Sequence, residues 1–301
     1  MKIPIVFLGT GQAVPTIRRN HQGILIQYKD ENILIDCGEG IQRQFRKAKL
    51  NPCSITKLLI THWHGDHILG IPGLLQTLAL NGYNRTLEIY GPRGTQKFMS
   101  IIMSMFVFQG KIDYQVKEIE QGKFFENQDF YLEALPMSHG TPALAYSFIQ
   151  KEKIRIDKEK LEKTGAKGKI ISELVKGKDI EWKGKKIKAK DLIYKQEGKK
   201  ITIILDTKEN SNTFKIAENS DLLVCESTFL ENSPNGASLA QEYSHLTAKQ
   251  AGEIAFKSHS KKLILTHLSQ RYELKNKEIL EEAKKIFKNT EIAEDLMKVE
   301  V

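Results

Sequence analysis

The chain has 301 residues, with 46 Lys+Arg against 37 Asp+Glu and a formal net charge of +9. A content of 40% hydrophobic and 28% charged residues excludes a disordered or fibrous chain. No apolar run approaches the roughly 18 residues that a membrane-crossing helix needs. Cys37, Cys53 and Cys225 are odd in number and far apart, so they imply neither a disulfide framework nor a CxxC metal site and point to a reducing, cytoplasmic setting.

In chain order, apolar runs at 3–8, 23–28 and 32–37 read as strands rich in Ile, Leu and Val. The first reads as a strand and not a signal peptide, because no basic region and small-residue cleavage site frame it. Gly38-Glu39-Gly40 breaks the third, and 41–48 has helical spacing. A buried strand is predicted at 57–61, a helix over 66–80 kinked or split at Pro72-Gly73, and a helix over 95–106. Further strands are predicted at 87–90, 131–135 and 143–148.

Residues 151–200 then change texture. They hold 18 Lys+Arg and 9 Asp+Glu, so this one stretch carries the whole excess of charge and the remainder is neutral. It reads as an inserted, flexible basic arm; such a segment usually marks solvent exposure and less often a polyanion-binding surface. Core texture returns with strands at 201–205, 222–225 and 262–266 and amphipathic helices at 247–258 and 276–287. Strands mixed with helices on both sides of the arm predict one α/β (α+β) domain over 1–301 that the arm interrupts.

The chemistry concentrates in Thr61-His62-Trp63-His64-Gly65-Asp66-His67, directly after a predicted strand and before a helix. His62 and His64 lie two apart at a strand end, so their imidazoles can point the same way. Asp66 and His67 follow the turn at Gly65 and can face a second point nearby. One short loop thus offers ligands for two metal ions, and imidazole with carboxylate suits zinc. His139, Asp206 and His267 each stand just past a predicted strand, where loops gather to build sites. Each is weak alone; together they complete a ligand set.

The pattern of THxHxDH with downstream His, Asp and His resembles the metallo-β-lactamase superfamily. Within it the chain resembles the tRNase Z family in its short form. Phe7-Leu8-Gly9-Thr10-Gly11, the Leu34–Gly40 stretch LIDCGEG, Cys225-Glu226-Ser227-Thr228-Phe229, His245-Leu246-Thr247 and the Leu265–Tyr272 stretch LTHLSQRY carry that likeness over nearly the full length. The resemblance implies an αβ/βα four-layer sandwich with metals at one edge. His62, His64 and His139 would hold one zinc, His67, His267 and Asp66 the other, with Asp206 bridging. It implies a zinc-dependent endoribonuclease that removes the 3′ trailer of precursor tRNA after the discriminator nucleotide, leaving a 3′-hydroxyl. The arm falls where that family carries its tRNA-binding exosite, and the family usually forms homodimers. No nucleotide cofactor or membrane is implied. Asp66 is expected to orient the attacking water and His245 to act on the departing oxygen, with Glu226 orienting His245. Arg19, Asn20, Arg271 and Tyr272 are candidate substrate contacts.

Two departures stand out. The family's P-x-K-x-R-N loop reads Pro15-Thr16-Ile17-Arg18-Arg19-Asn20, with Ile17 in place of Lys, and the arm lacks the exosite's Gly-Pro pair. The alternative is another phosphodiesterase or arylsulfatase of the same fold acting on small substrates, since fold does not settle function. A nucleic-acid-binding protein with a merely structural metal fits less well, because such a site needs no open position.

Overall fold

The computed structural model describes residues 2–108 and 110–301. Six strands build the first half: β1 (Pro4–Gly9), β2 (Gly23–Tyr28), β3 (Glu31–Ile35), β4 (Lys57–Leu59), β5 (Leu87–Gly91) and β6 (Tyr114–Glu118). Three more follow, β7 (Gly122–Glu126), β8 (Phe130–Met137) and β9 (Ala143–Gln150). The arm contains β10 (Lys153–Ile156), β11 (Ile180–Trp182), β12 (Lys185–Ile187) and β13 (Ile193–Gln196). The chain closes with β14 (Lys200–Ile204), β15 (Leu222–Glu226), β16 (Leu263–Thr266), β17 (Thr290–Ile292) and β18 (Lys298–Glu300).

These form two seven-stranded sheets, β18-β1-β2-β3-β4-β5-β6 and β17-β16-β15-β14-β9-β8-β7. In each, four consecutive strands run parallel, β3 to β6 and β14 to β17, and the others pair antiparallel. The parallel strands read as unbroken apolar runs because both their faces are covered. Side chains alternate between layers. Ile33, Ile35, Leu222, Val224 and Ile264 point between the sheets, where they meet Phe130 and Phe148. Leu34 and Leu58 face outward onto Ile41, Phe45 and Leu74 of the first helical layer. Leu223, Cys225 and Leu265 face outward onto Ile254 and Ile279 of the second. The result is the four-layer αβ/βα sandwich of the metallo-β-lactamase fold.

The helix predicted over 66–80 is split, as expected, but the break lies earlier. One turn covers Gly65–Ile68 and the main helix covers Ile71–Leu80. Pro72 sits in the first turn of the second helix, where a missing N–H leaves nothing unpaired. The break is set instead by Gly70. Its N–H donates to the Cys37 carbonyl at 2.9 Å, and a Cβ there would stand 2.0 Å from the Gly38 carbonyl oxygen. This contact presses the metal-motif loop onto the end of β3.

The arm carries its own structure. β10 pairs with β13 and β11 with β12, and short helices at Lys158–Thr164 and Ile170–Val175 close over Leu174, Ile187, Ala189 and Leu192. Lys167, Lys169, Lys183, Lys185 and Lys188 are exposed. The arm leaves from the end of β9 and returns at the start of β14, two strands that pair in the same sheet (Lys200 with Ile149). It therefore interrupts a hairpin connection and leaves the sheet intact.

Gly70→Ala has no room for its methyl without moving backbone. It should lower the stability of the metal-free protein by about 1–3 kcal/mol, the usual cost of overpacking. Denaturant titration checks this, and an unchanged midpoint would refute the close approach.

Candidate metal centre

The carboxyl-terminal ends of β4, β8, β14, β15 and β16 open on one edge of the sandwich. The residues just past them are Thr61–His67, His139, Asp206, Glu226 at its strand end, and His267. Edges of this kind collect ligands in sheets with parallel strands. Six of the eight histidines converge here.

They form two sets. In the first, His64 Nδ1 lies 3.0 Å from His62 Nε2 and 3.1 Å from His139 Nε2, and Asp206 Oδ2 lies 3.6 Å from His62 and 3.8 Å from His139. In the second, His67 Nε2 and His267 Nε2 are 3.2 Å apart, each 3.4 Å from Asp66 Oδ2. Asp206 Oδ1 stands 3.3 Å from His67 and 3.2 Å from His267. Asp206 thus turns one oxygen to each set.

The outer nitrogens are held from behind. His67 Nδ1 donates to Asp36 Oδ2 at 2.6 Å, and Asp36 in turn accepts from the Thr61 N–H and hydroxyl, both at 2.7 Å. His139 Nδ1 donates to the Ser244 carbonyl at 3.0 Å. His267 Nδ1 faces the Thr228 hydroxyl at 3.0 Å and His62 Nδ1 the Thr61 hydroxyl at 3.1 Å. Such partners fix the ring orientation, and those of His67 and His139 put the proton on Nδ1, so that Nε2 turns a lone pair inward. Asp36 and His267 hold φ of 57° and 58°, a left-handed backbone that side chains rarely adopt and that clusters at functional sites.

This donor set fits a divalent metal. Three imidazole nitrogens meet at hydrogen-bond distance, yet one proton cannot serve them all. Asp206 Oδ1 is buried with no hydrogen-bond partner among the described residues. Such an orphan needs a positive partner. Burial pushes the Asp206 carboxyl up, but the surrounding histidines outweigh it and hold it well below the usual carboxylate range. Burial pulls His67 down, but Asp206 and Asp36 keep it well above the ordinary imidazole value, whereas burial beside His67 drives His62 well below it.

His245 stands at the rim. Its Nδ1 lies 3.1 Å from both Glu226 oxygens, and Glu226 is itself pinned by the Thr207 N–H at 2.7 Å and the Thr228 hydroxyl at 2.6 Å. The expected pairing of Glu226 with His245 is present. Burial lowers the imidazole, but Glu226 and Asp206 prevail and push it up to about 9. A cleft of about 450 Å³ opens over the cluster, lined by Val14, His64, Asp66, Tyr243, His245 and Arg271 among others.

A family model described as Anti-Pycsar protein Apyc1 matches residues 3–164, which hold His62 to His67 and His139 but not Asp206, His245 or His267. Relatives span the rest. Ribonuclease Z of Methanothermobacter thermautotrophicus is 39% identical over 99% of this chain and 96% of its own. Ribonuclease Z of Archaeoglobus fulgidus is 36% identical over 100% and 98%. The chain belongs to the ribonuclease Z family. A ribonuclease Z of Bacillus cereus is 39% identical over 97% of each chain. Among solved structures, the human tRNase Z short form matches with a TM-score of 0.72 and 26% identity over 98% of each chain. The metallo-β-lactamase fold protein YhfI of Bacillus subtilis matches with a TM-score of 0.71 and 17% identity over 100% of this chain and 99% of its own, and speaks for the fold alone.

Against this family background, the four expected substrate contacts fall into different places. Arg271 is exposed and lines the cleft. Arg19 is buried instead, donating to the Thr10 hydroxyl at 2.6 Å and the Ala293 carbonyl at 2.8 Å. Asn20 is half-buried; its N–H donates to Asp295 and its side chain to the Glu39 carbonyl, both at 2.7 Å. Tyr272 is buried with its hydroxyl 2.9 Å from Ser233. These three brace loops around the site. Sequence reasoning missed Asp36, although it stands in the LIDCGEG segment; its place after a buried strand is the signal that marks Asp206.

Asp36→Asn turns an amide donor toward either the Thr61 donors or His67 Nδ1. Metal affinity should fall about 10–100-fold, the usual effect of losing an outer partner. Chelator competition measures it, and wild-type affinity would show that Asp36 does not set the His67 ring.

Proposed function

We propose that the protein is a zinc-dependent endoribonuclease that cuts the 3′ trailer from precursor tRNA after the discriminator nucleotide, leaving a 3′-hydroxyl on the tRNA. The observation that carries this reading is the pair of donor sets sharing Asp206, with Glu226-held His245 at the rim, in a chain related over its full length to ribonuclease Z proteins. In this assignment His62, His64 and His139 would hold one zinc and Asp66, His67 and His267 the other, with Asp206 turning one oxygen toward each. Bound there, the two ions supply positive charge for the phosphate oxygens and acidify a water.

The chain's own groups do the rest. Asp66 lines the cleft, and its carboxylate accepts the proton of the attacking water. His245, protonated at neutral pH by virtue of Glu226, donates to the departing 3′ oxygen of the discriminator ribose. Tyr243 and Phe229 stack at 6.4 Å between ring centres and offer an aromatic wall to an unpaired base, beside the Arg271 guanidinium. The arm over 151–200 binds the tRNA through its phosphates. A homodimer in the cytoplasm fits this reading: Phe98, Ile101 and Met105 share one exposed face of the helix Thr95–Met105, followed by exposed Phe106 and Val107.

The decisive assay is cleavage of a 3′-extended pre-tRNA with the cut mapped to the nucleotide. His245→Ala should keep its zinc and lose about 10²–10⁴ in kcat, the usual worth of a positioned acid; loss of zinc would make it a ligand or a structural residue.

Deleting 151–200 should abolish pre-tRNA cleavage while a small chromogenic diester is still turned over. In the intact protein, added salt should weaken pre-tRNA binding far more than diester turnover, because counterions compete for phosphate contacts. Equal salt sensitivity of the two substrates would favour an enzyme of small substrates.

A further inference from the structure

Two histidines, His21 and His259, stand outside the metal cluster. His259 lies in the turn after the helix Ala248–Lys257 and is exposed. His21 is different. It is 4% exposed and sits behind the site, so close to Gly38 that a Cβ on that glycine would lie 2.4 Å from the His21 Cβ.

The His21 Nε2 is 3.0 Å from the carbonyl oxygen of Ala13. A carbonyl can only accept, so Nε2 carries the proton and donates. Nδ1 is buried with no hydrogen-bond partner among the described residues, so the Ala13 contact is the bond that orients the ring. Ala13 holds φ of 36°, left-handed backbone in a non-glycine residue on an exposed loop. Such a conformation persists only where neighbours impose it. Its N–H donates to Asp66 Oδ2 at 2.8 Å, the same oxygen that lies 3.4 Å from His67 and His267. One residue earlier, the Gln12 N–H donates to the Leu268 carbonyl at 3.3 Å, next to His267. The loop therefore touches both halves of the second donor set, and His21 is the buried side chain that holds its turn.

We propose that His21 is a positioning residue for Asp66. By bonding the Ala13 carbonyl, its imidazole keeps the Ala13 N–H on the Asp66 carboxylate and fixes the oxygen turned toward His67 and His267. Without that donor, the exposed Ala13 turn relaxes out of its left-handed conformation and water replaces its N–H on Asp66. The carboxylate then has no fixed rotamer. The inference rests on Asp66 being a metal ligand.

The test compares His21→Leu, which fills the space without a donor, with His21→Gln, whose amide can reach the carbonyl. Asp66→Ala serves as reference. Zinc affinity is read by chelator competition, kcat and KM by pre-tRNA cleavage, and packing by thermal melting of the metal-free proteins. His21→Leu should lose about tenfold in zinc affinity, as for other outer partners, with kcat lowered and KM unchanged. His21→Gln should recover most of both. A merely structural histidine would lower the melting temperature alike in both variants and leave zinc affinity unmoved, which would overturn the proposal. Wild-type affinity in Asp66→Ala would instead sink the ligand assignment on which it stands. Should His21→Leu fail to fold, amide exchange at Ala13 in the unsubstituted metal-free protein decides. The proposal requires a protected Ala13 N–H, and exchange at the rate of an open loop would overturn it.

Discussion

A carboxylate sealed among imidazoles governs this structure. Asp206 is nearly inaccessible, one of its oxygens has no hydrogen-bond partner among the described residues, and five histidine rings stand within 4 Å of it. An ionised group in such a place costs several kcal/mol unless positive charge meets it. Without a cation that charge comes from protons, which is why His67 titrates high while its neighbour His62 titrates low. With a cation the same rings turn lone pairs inward and the demand is met directly. The geometry is a receptacle for positive charge, and the outer partners Asp36, Thr228 and Ser244 hold the rings in place for it.

The two-sheet architecture makes such convergence possible. The candidate donors come from positions 62 to 267, and no local chain geometry can bring them together. Each sheet places parallel strands side by side, so their carboxyl ends open on the same edge. The two sheets pack face to face through one shared core, so the two edges coincide. His67 comes from one sheet and His267 from the other, and their nitrogens end 3.2 Å apart. The core fixes the spacing of the donors as much as the loops do.

What was legible in the sequence follows from range. His62 to His67 are contiguous, and their spacing after an apolar strand states the chemistry. His139, Asp206 and His267 are each weak alone; what marked them is that all three stand just past a predicted strand, and the resemblance to the tRNase Z family joined them into one set. The central strands were found from their apolar runs, with ends shifted by a residue or two. The strands that escaped are the short arm strands β10 to β13 and the four edge strands β6, β7, β17 and β18; β6 and β7 mix polar with apolar residues because one face meets solvent. β18 pairs with β1 across almost the whole chain, a contact that no local pattern encodes. Arg19 and Tyr272 were expected as substrate contacts, but their tertiary partners bury them: Arg19 donates to Thr10 and Tyr272 meets Ser233. The arm's own small core escaped because Ala166, Leu174, Ile187, Ala189 and Leu192 are scattered among lysines.

The arm's root bears on the kind of substrate. β9 begins near His139, at the metal edge, and runs eight residues away from it before the arm departs; β14 starts where the arm returns and runs back to Asp206. At roughly 3.3 Å per residue, the arm is rooted about 25 Å from the metal edge. The body it leaves is neutral, and the whole excess charge lies in the projection. A polyanion would meet no general attraction across such a body. It would bind where the charge is, and its scissile phosphate would reach the metals only if the molecule were long and rigid enough to span the gap. A mononucleotide or a small diester placed in the cleft would lie far from the arm's root. Under the proposed function a folded RNA would use both, and separating charge from chemistry would then select for substrate size before any base is read.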